Sequence, residues 1–373
     1  MEWKEVTISD IANLKNGKKR PSEPGVIPVF GGNGIMDYVN SFNGEDTIVI
    51  GRVGAYCGCV YLSKGKCWVS DNAIAAKAKE DNDNEYLYYL LSSLNLNYHH
   101  IGGAQPLMTQ DIIGRIEVIV PQTKDDQRRI ASILSSLDRK IELNNKINAD
   151  LEEMAQAIFK NWFVDFEPFK DGKFVDSELG MIPEGWKVGT LGDITKNKSA
   201  KVKERNDVKV LSPVTTGELV LSEEYFTKQV FSSSIAKYKI VNKGDFAYNP
   251  ARVNIGSLGR NEFDFDGCVS PVYVVFSVLD GYENYFDLFR KTDFFKDSVA
   301  SLAIGGVRQS LSYDDLSSIE VIIPSENAVE EFNNLYNQMK KTIKANKLEN
   351  SRLSTLRDTL LPRLISGEIE VPE

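Results

Sequence analysis

The chain repeats its own plan, because a region of mixed composition followed by a long stretch with helical periodicity occurs twice. The first copy opens with Trp-Lys-Glu-Val-Thr-Ile-Ser-Asp-Ile from Trp3, and the second with Trp-Lys-Val-Gly-Thr-Leu-Gly-Asp-Ile from Trp186. The copies also close alike: Ile-Glu-Val-Ile-Val-Pro from Ile116 returns as Ile-Glu-Val-Ile-Ile-Pro from Ile319. Ordered matches at near-constant offsets indicate tandem duplication. The chain is therefore predicted to form a pseudo-dimer, which suits a ligand with two similar but unequal ends.

The long periodic stretches predict two paired helices. From Asp125 to Trp162 there is neither glycine nor proline, and the stretch repeats 202 positions later. About 38 residues make a helix about 57 Å long. Alternating spacings of three and four predict a coiled-coil seam formed by Leu134, Leu137, Ile141, Asn144, Asn148, Leu151, Ile158, Tyr336, Met339, Ile343, Asn346, Asn350, Leu353 and Leu360. Further apolar residues exceed what two helices use and predict a surface for partner helices: Ile130, Ile133, Ile147, Met154, Phe159, Leu335, Leu348, Leu356 and Leu361.

Each helix carries two asparagines at matching seam positions. One interpretation is an exposed, frayed middle. The other is a polar layer that fixes register and orientation at some cost in stability. In an antiparallel pair Asn144 faces Asn350 and Asn148 faces Asn346. A two-fold axis between the halves requires this arrangement, which returns the C-terminus to the first globular domain.

The predicted fold class is α/β (α+β), with two similar globular domains separated by two long antiparallel coiled-coil helices in a pseudo-two-fold, circular organisation. The expected segments are domain 1 (1–121), helix 1 (122–168), domain 2 (169–324), and helix 2 with the C-terminal segment (325–373). Local patterns predict strands and a helix in domain 1. The strands are 47–50, 58–62 and 116–120, and the helix is 85–94.

Composition excludes several classes of protein. The 42% hydrophobic and 26% charged residues indicate a globular chain. No apolar run of about 18 residues predicts a membrane span, and no secretory signal is visible at the N-terminus. Four cysteines suggest reduced thiols, so we expect a cytoplasmic protein. The spacing of Cys57, Cys59, Cys67, His99 and His100 matches no usual zinc motif, and the second copy keeps only Cys268, so buried thiols are preferred to a metal site.

Catalytic motifs are missing from the sequence. The nearest match to an amino-methyltransferase loop, Asn249-Pro250-Ala251, lacks the second proline and the aromatic ring. No Gly-x-x-x-x-Gly-Lys-Ser/Thr phosphate loop occurs, and the paired acidic and Glu-x-Lys pattern of nucleases is absent. The chain is therefore predicted not to be an enzyme and to hold no cofactor of its own.

Local basic features predict DNA binding despite a net charge of −9, because affinity depends on the potential at the groove. Lys15, Lys18 and Arg20 map to Lys198, Lys201 and Lys203 at an offset of 183, and Arg52 maps to Arg252 at 200. The competing interpretations are a solvated charged face and hairpin arginines that pair with local carboxylates. The predicted DNA-binding residues are Lys15, Lys18, Lys19, Arg20, Arg52, Gln105, Lys198, Lys201, Lys203, Arg252, Arg308 and Gln309.

Four stretches together resemble the DNA-specificity subunit of type I restriction-modification systems. They are Asp-Gln-Arg-Arg-Ile from Asp126, Leu-Asp-Arg-Lys-Ile-Glu-Leu-Asn-Asn from Leu137, Ala-Ile-Phe-Lys-Asn-Trp-Phe-Val-Asp-Phe from Ala157, and Gly-Met-Ile-Pro-Glu-Gly-Trp from Gly180. The Leu-Ile-Ser-Gly-Glu-Ile sequence from Leu364 also fits. The chain departs from the family at 327–332, where the second helix lacks the Glu/Asp-Gln-x-x-Ile start.

The resemblance implies two target-recognition domains, each reading one half of an asymmetric, bipartite site in double-stranded DNA. It also implies that the helices set the spacer and dock two modification subunits that methylate adenine, with two restriction subunits that cleave. Adenosylmethionine, ATP and magnesium are then expected on these partners. Two alternatives are a scaffold that binds only protein and a DNA-modifying enzyme with an unrecognised site. The target sequence does not follow from the residues.

Overall fold

The computed structural model of the protein describes residues 1–102, 105–302 and 310–371. The chain divides into two compact units. Unit 1 contains residues 1–146 and 345–373, and unit 2 contains residues 147–344. Each unit combines one globular domain with parts of both long helices, whereas the sequence prediction divided the chain into four consecutive segments. Within the described ranges, no helix has the length and apolar character needed to cross a membrane.

Unit 1 is built mainly from short strands. They are β1 (Trp3–Thr7), β2 (Ala12–Asn16), β3 (Pro24–Gly31), β4 (Gly34–Val39), β5 (Gly44–Glu45), β6 (Ile48–Gly51), β7 (Val60–Leu62), β8 (Lys66–Val69), β9 (Ala73–Ala78) and β10 (Glu117–Pro121). The helices are α1 (Ile8–Ile11), α2 (Asn84–Ser93), α3 (Gln110–Gly114) and α4 (Lys124–Phe163), which continues into unit 2. The strands and helices predicted for domain 1, and the long helix after it, are confirmed to within a few residues.

Unit 2 follows the same order of elements. Its strands are β11 (Phe174–Val175), β12 (Ile182–Pro183), β13 (Lys187–Thr190), β14 (Thr195–Lys198), β15 (Lys209–Pro213), β16 (Leu219–Leu221), β17 (Lys239–Val241), β18 (Phe246–Tyr248), β19 (Leu258–Arg260), β20 (Gly267–Val269), β21 (Val274–Val278) and β22 (Glu320–Ile323). The helices are α5 (Leu191–Ile194), α6 (Ser222–Tyr225), α7 (Glu283–Phe289), α8 (Asp293–Leu302), α9 (Tyr313–Ser317) and α10 (Glu326–Ile365), which continues into unit 1.

The sheets of the two units have the same topology, which confirms the duplication. Unit 1 has strand orders β2-β9-β6-β7 and β4-β3-β8-β5, and unit 2 has β14-β21-β18-β19 and β16-β15-β20-β17. The opening and closing strands pair antiparallel in both, as β1–β10 and β13–β22. Unit 2 carries an insert at 222–238 between β16 and β17, where unit 1 has only residues 40–43. A smaller difference precedes β15, since residues 199–208 separate β14 from β15 and only 17–23 separate β2 from β3. The copies therefore share a frame and differ in the lengths of their loops.

The matching opening sequences form the same capping box after the first strand. The backbone N–H of Thr7 donates to Asp10 Oδ2 at 2.8 Å, and that of Thr190 donates to Asp193 Oδ2 at 2.7 Å. Each threonine side chain completes the reciprocal cap of a one-turn helix. The hydrogen bonds from Thr7 hold the pKa of Asp10 below its usual value. Local capping thus explains why both copies keep Thr-x-x-Asp.

The ends of the long helices belong to the cores of the domains. In unit 1, Ile130 and Leu364 pack into one apolar cluster with the domain. After α10, Gly367 adopts φ +76°, and a Cβ there would lie 2.7 Å from the Trp3 indole, so the chain can turn beside that ring only because this residue is glycine. The two ends of the chain therefore meet within unit 1, as the circular organisation predicts.

The helices run antiparallel where unit 1 contains both. Arg357 Nη1 donates to Asp138 Oδ1 at 2.7 Å, and Asn144 Nδ2 donates to Asn350 Oδ1 at 2.9 Å, so numbers rise along α4 as they fall along α10. Asn144 is fully buried, which supports a polar layer over a frayed middle at this position. The companion pairing of Asn148 with Asn346 would join different units and stays a prediction.

Candidate nucleic-acid interface

The first pair of repeated lysines occupies equivalent sheet positions but different electrostatic surroundings. Lys15 lies opposite Ala75 on β9, and Lys198 lies opposite Val275 on β21. Lys15 is exposed and forms no ion pair with a described residue. Lys198 Nζ instead lies 2.7 Å from Asp245 Oδ1, on a carboxylate side chain that is 5% exposed. Lys15 is therefore available to a phosphate, while Lys198 stabilises a buried charge.

Burial explains why Lys198 is held so closely. Removal from water raises the pKa of Asp245, and Lys198 opposes that shift. A buried carboxylate without its cation is strongly destabilising. The contact therefore argues for a structural role of Lys198 inside domain 2.

The basic segment of domain 1 passes close to the end of β8. The N–H of Lys18 donates to Val69 O at 3.0 Å, and a Cβ on Gly17 would lie 1.9 Å from Ser70 O. Only glycine permits this approach. Lys18 and Lys19 are exposed, and neither forms an ion pair with a described residue. Both ammonium groups face solvent beside the sheet.

The basic segment of domain 2 is held by the insert. Val202 N–H donates to Tyr238 O, and Lys203 N–H donates to Ala236 O, both at 2.9 Å. Val202 is buried, while Lys201 and Lys203 on either side of it are exposed and lack a described carboxylate partner. The insert thus holds a segment that presents Lys201 and Lys203 at the surface of domain 2.

Two other cations in these segments are neutralised locally. Arg20 forms an ion pair with Asp37 on β4. Arg205 contacts Asp207 at 2.7 Å and Asp266 at 3.1 Å. Both arginines therefore pair with local carboxylates, an interpretation that the sequence suggested only for Arg52 and Arg252.

The correspondence at an offset of 183 ends at Lys198, which corrects the prediction for the next two pairs. The backbone of Lys18 forms an isolated β-bridge with Ser70, just after β8. The backbone of Lys201 instead forms an isolated β-bridge with Lys239 on β17. Since β17 is the equivalent of β5 and not of β8, the two lysines lie beside different strands of the shared frame. The extra residues of unit 2 before β15 shift the register.

The arginine pair also requires a correction. Met108 N–H donates to Arg52 O at 2.8 Å, and Leu311 N–H donates to Pro250 O at 3.1 Å. The structural equivalent of Arg52 is therefore Pro250, two residues before Arg252. The offset of 200 positions paired Arg52 with the wrong residue, because the offset between equivalent residues of the two copies changes along the repeat.

Several loops of domain 1 meet where Arg52 lies. Arg52 N–H donates to Asn72 O at 2.9 Å, and its Nη1 makes a long 3.5 Å contact with Asp71 O. Its Nε is buried without a hydrogen-bond partner among the described residues. A Cβ on Gly32 would lie within 4 Å of both Tyr56 and Asn72. The loops after β3, β6 and β8 thus form one end of the domain.

Sequence reasoning missed Tyr56 and Asn72, which are both exposed at this end. For Tyr56 the signal was the glycine-rich loop at 51–58, and for Asn72 it was the short turn between β8 and β9. Gln105 is exposed and described, while Arg308 and Gln309 lie outside the described residues. Arg252 is exposed and has no described carboxylate partner.

The long helices carry two sets of apolar residues, a seam that is buried or half-buried and a stripe that is partly exposed. No predicted seam residue is exposed. Among the predicted partner-interface residues, Met154, Leu335, Leu348 and Leu356 are exposed, as is the unpredicted Leu143. Ile133, Ile147 and Leu361 are half-buried.

The predicted partner interface is wrong at two residues. Ile130 and Phe159 are 0% and 1% exposed and pack inside the domain cores. Neither side chain presents a surface to another chain. Their spacing matched the stripe because the helix ends also bury a face against their own domain.

The cysteines fit packing roles. Cys57, Cys67 and Cys268 are buried and Cys59 is half-buried, all as free thiols. Burial raises the thiol pKa of Cys57 and Cys67, and it raises that of Cys268 to about 11. Within the described part of the chain, no group of three or more histidine, cysteine or acidic side chains is placed to hold a metal ion.

Comparison with known proteins identifies relatives along most of the chain. The family described as "Type I restriction modification DNA specificity domain" matches residues 1–153. The chain is 28% identical to the MjaIX specificity subunit of Methanocaldococcus jannaschii, over 78% of this chain and 70% of that protein. It is 26% identical to the HindI specificity subunit of Haemophilus influenzae, over 76% and 77%.

A solved structure shares the fold. The type I restriction-modification S subunit from M. genitalium superimposes with a TM-score of 0.62 at 18% identity, covering 98% of this chain and 96% of that one. At this identity the likeness concerns the fold alone.

Proposed function

We propose that this chain is a type I restriction-modification specificity subunit whose two domains each read one half of an asymmetric, bipartite DNA site. The match of residues 1–153 to the specificity-domain family and the similarity to specificity subunits over about three quarters of the chain support this proposal. The observation that carries the proposal is the pair of topologically equal domains with different exposed cations. Lys15, Lys18 and Lys19 serve phosphate contacts in domain 1, and Lys201, Lys203 and Arg252 serve them in domain 2. Because the two domains share a frame but differ in their loops, we expect them to read different half-sites.

The helices are proposed to set the distance between the half-sites and to dock two modification subunits. Exposed apolar side chains on α4 and α10, among them Met154, Leu335 and Leu348, support a docking role, because such stripes on a helix mark contact surfaces. Adenine methylation, and cleavage by restriction subunits, would occur on those partners together with adenosylmethionine, ATP and magnesium. The chain itself acts by binding in the cytoplasm, close to the chromosome.

Binding of the purified chain to genomic DNA fragments at several salt concentrations tests the DNA proposal. The double variant Lys201→Ala/Lys203→Ala should bind all sequences more weakly and flatten the plot of log affinity against log salt by about 1.8, for two lost phosphate contacts. The control Lys146→Ala/Lys341→Ala removes two exposed helix lysines and should leave the slope unchanged.

The other outcomes decide between the functions considered. Absence of salt-dependent DNA binding would favour a protein scaffold. Methyl transfer by the purified chain alone would favour an enzyme. An unchanged slope in the Lys201/Lys203 variant would reject this basic segment as a phosphate contact.

A further inference from the structure

Equivalent positions on the two long helices carry charges of opposite sign. Asp138 and Glu142 lie one turn apart on α4. The positions 202 residues later on α10 are Lys340 and Lys344. The seam residues around them keep their apolar character in both helices, so the inversion is confined to the charged positions.

In unit 1 the acidic pair on α4 contacts domain 1. Lys64, in the turn between β7 and β8, places Nζ 3.1 and 3.0 Å from the two carboxylate oxygens of Glu142. One helical turn away, Asp138 accepts a hydrogen bond from Tyr89 of α2 at 2.6 Å and pairs with Arg357 of α10 at 2.7 Å. The domain therefore offers a cation and a donor to an acidic helix face.

In unit 2 the basic pair on α10 contacts the equivalent turn of domain 2. This turn, between β19 and β20, carries Glu262 and Asp264. Lys344 Nζ lies 3.1 Å from Asp264 Oδ2, and Lys340 pairs with Glu262. Lys243 and Lys344 hold the pKa of Asp264 below its usual value. The same turn meets the same helix position in both units, with the signs exchanged.

We infer that these inverted ion pairs match each domain to its own helix. A domain 1 turn seated on α10 would place Lys64 against Lys344, and a domain 2 turn seated on α4 would place Asp264 against Glu142. Like charges in contact disfavour the wrong partner, while opposite charges fix the register of the right one. Lys64, Glu142, Asp264 and Lys344 are thus positioning residues, and this role does not depend on DNA binding.

The side chains of both ion pairs are largely exposed to solvent. Lys64 and Glu142 are 58% and 62% exposed, and Lys344 and Asp264 are 70% and 68% exposed. Ion pairs at such exposure contribute little to global stability. The effect is therefore expected in the local opening of the turn against its helix and not in the unfolding temperature.

Hydrogen–deuterium exchange of the full chain at residues 63–65 tests the inference. Lys64→Asp gives domain 1 the sign of domain 2 and should speed exchange about threefold at low salt, with an unchanged unfolding temperature. Adding Glu142→Lys gives α4 the sign of α10 and should restore the native rate. Lys146→Glu reverses an exposed charge one turn further along α4 and should change nothing.

Unit 2 provides an independent test at residues 261–266. Lys344→Glu should speed exchange there, whereas Lys344→Arg keeps the sign and should not. In about 1 M salt, where the screening length falls to about 3 Å, these differences should vanish. Unchanged exchange in Lys64→Asp, failure of Glu142→Lys to restore it, or an effect that persists at high salt would overturn the inference.

Discussion

The two units fasten the same kind of domain to the long helices with different chemistry. In unit 2 the junction is aromatic: Phe163 lies 5.0 Å from Phe332, 5.1 Å from Tyr285 and 5.8 Å from Trp186, measured between ring centroids. In unit 1 the end of α10 contributes the aliphatic residues Leu364 and Ile365 to the corresponding junction. The duplicated frame was kept while each junction was repacked, so equivalent positions are not interchangeable.

A single helix position shows the contrast most clearly. Gln127 on α4 is fully buried, donates to Asn82 Oδ1 and Pro121 O, and accepts from the N–H of Asp83 at 2.8 Å. The equivalent on α10 is Val329, 2% exposed in an apolar core. Gln127 belongs to the Asp-Gln-Arg-Arg-Ile start, and its contacts within unit 1 explain why that motif holds a glutamine. The divergence at 327–332 reflects a different internal junction.

The largest difference between the junctions should appear on truncating Phe159. Phe159→Ala removes a buried ring from the aromatic cluster and should lower the free energy of unfolding by about 3–5 kcal/mol. Leu361, the equivalent residue on α10, is half-buried, so Leu361→Ala should cost about half as much. Urea unfolding of both variants checks this, and equal losses would contradict the contrast between the junctions.

The second-largest effect is expected from losing the hydrogen bonds of Gln127 with Asn82, Asp83 and Pro121, which we call the polar clamp of unit 1. Gln127→Ala leaves Asn82 and the Asp83 N–H without a buried partner and should destabilise unit 1 by about 1–3 kcal/mol. Gln122→Ala, at an exposed residue just before α4, is the control and should be neutral. Amide exchange in α2 reports the effect on unit 1, and wild-type protection in Gln127→Ala would reject the clamp.

Acid should weaken unit 2 through Asp287. Burial acts to raise the pKa of Asp287, but Arg290, Lys291 and Lys340 outweigh it and hold the pKa at about 2. Because the folded pKa is depressed below 3.8, the stabilisation is present above that pH and is lost as pH falls through about 2. Its size is on the order of 2 kcal/mol.

The corresponding measurement compares wild type with Asp287→Asn. Unfolding free energies between pH 5 and 2 should fall less steeply in the variant, which has no carboxylate to protonate at this position. Identical slopes would show that Asp287 does not supply this acid sensitivity.

Regular elements were predictable because they obey short-range rules. The 3-4 spacing predicted α4, and the constant ends of the repeat predicted two similar folds. The shared cap at Thr7 and Thr190 was found only in the structure. The burial of Ile130 and Phe159 was not predictable, since one helical stripe serves both the domain core and the outer surface.

Whether each cation is paired with a carboxylate was less predictable, because the carboxylate lies elsewhere in the chain. Lys198 is neutralised by Asp245, and Arg20 by Asp37, across 47 and 17 positions. Only folding brings these groups together. The equivalence of Arg52 failed for a related reason, since the loops of unequal length change the offset inside the repeat.

Methylome sequencing of the host with and without the gene tests the central claim most directly. If two unlike domains read two half-sites, deletion should remove adenine methylation from one asymmetric, two-part motif with a fixed spacer. Unchanged methylation, or loss confined to a palindromic or continuous motif, would contradict the account.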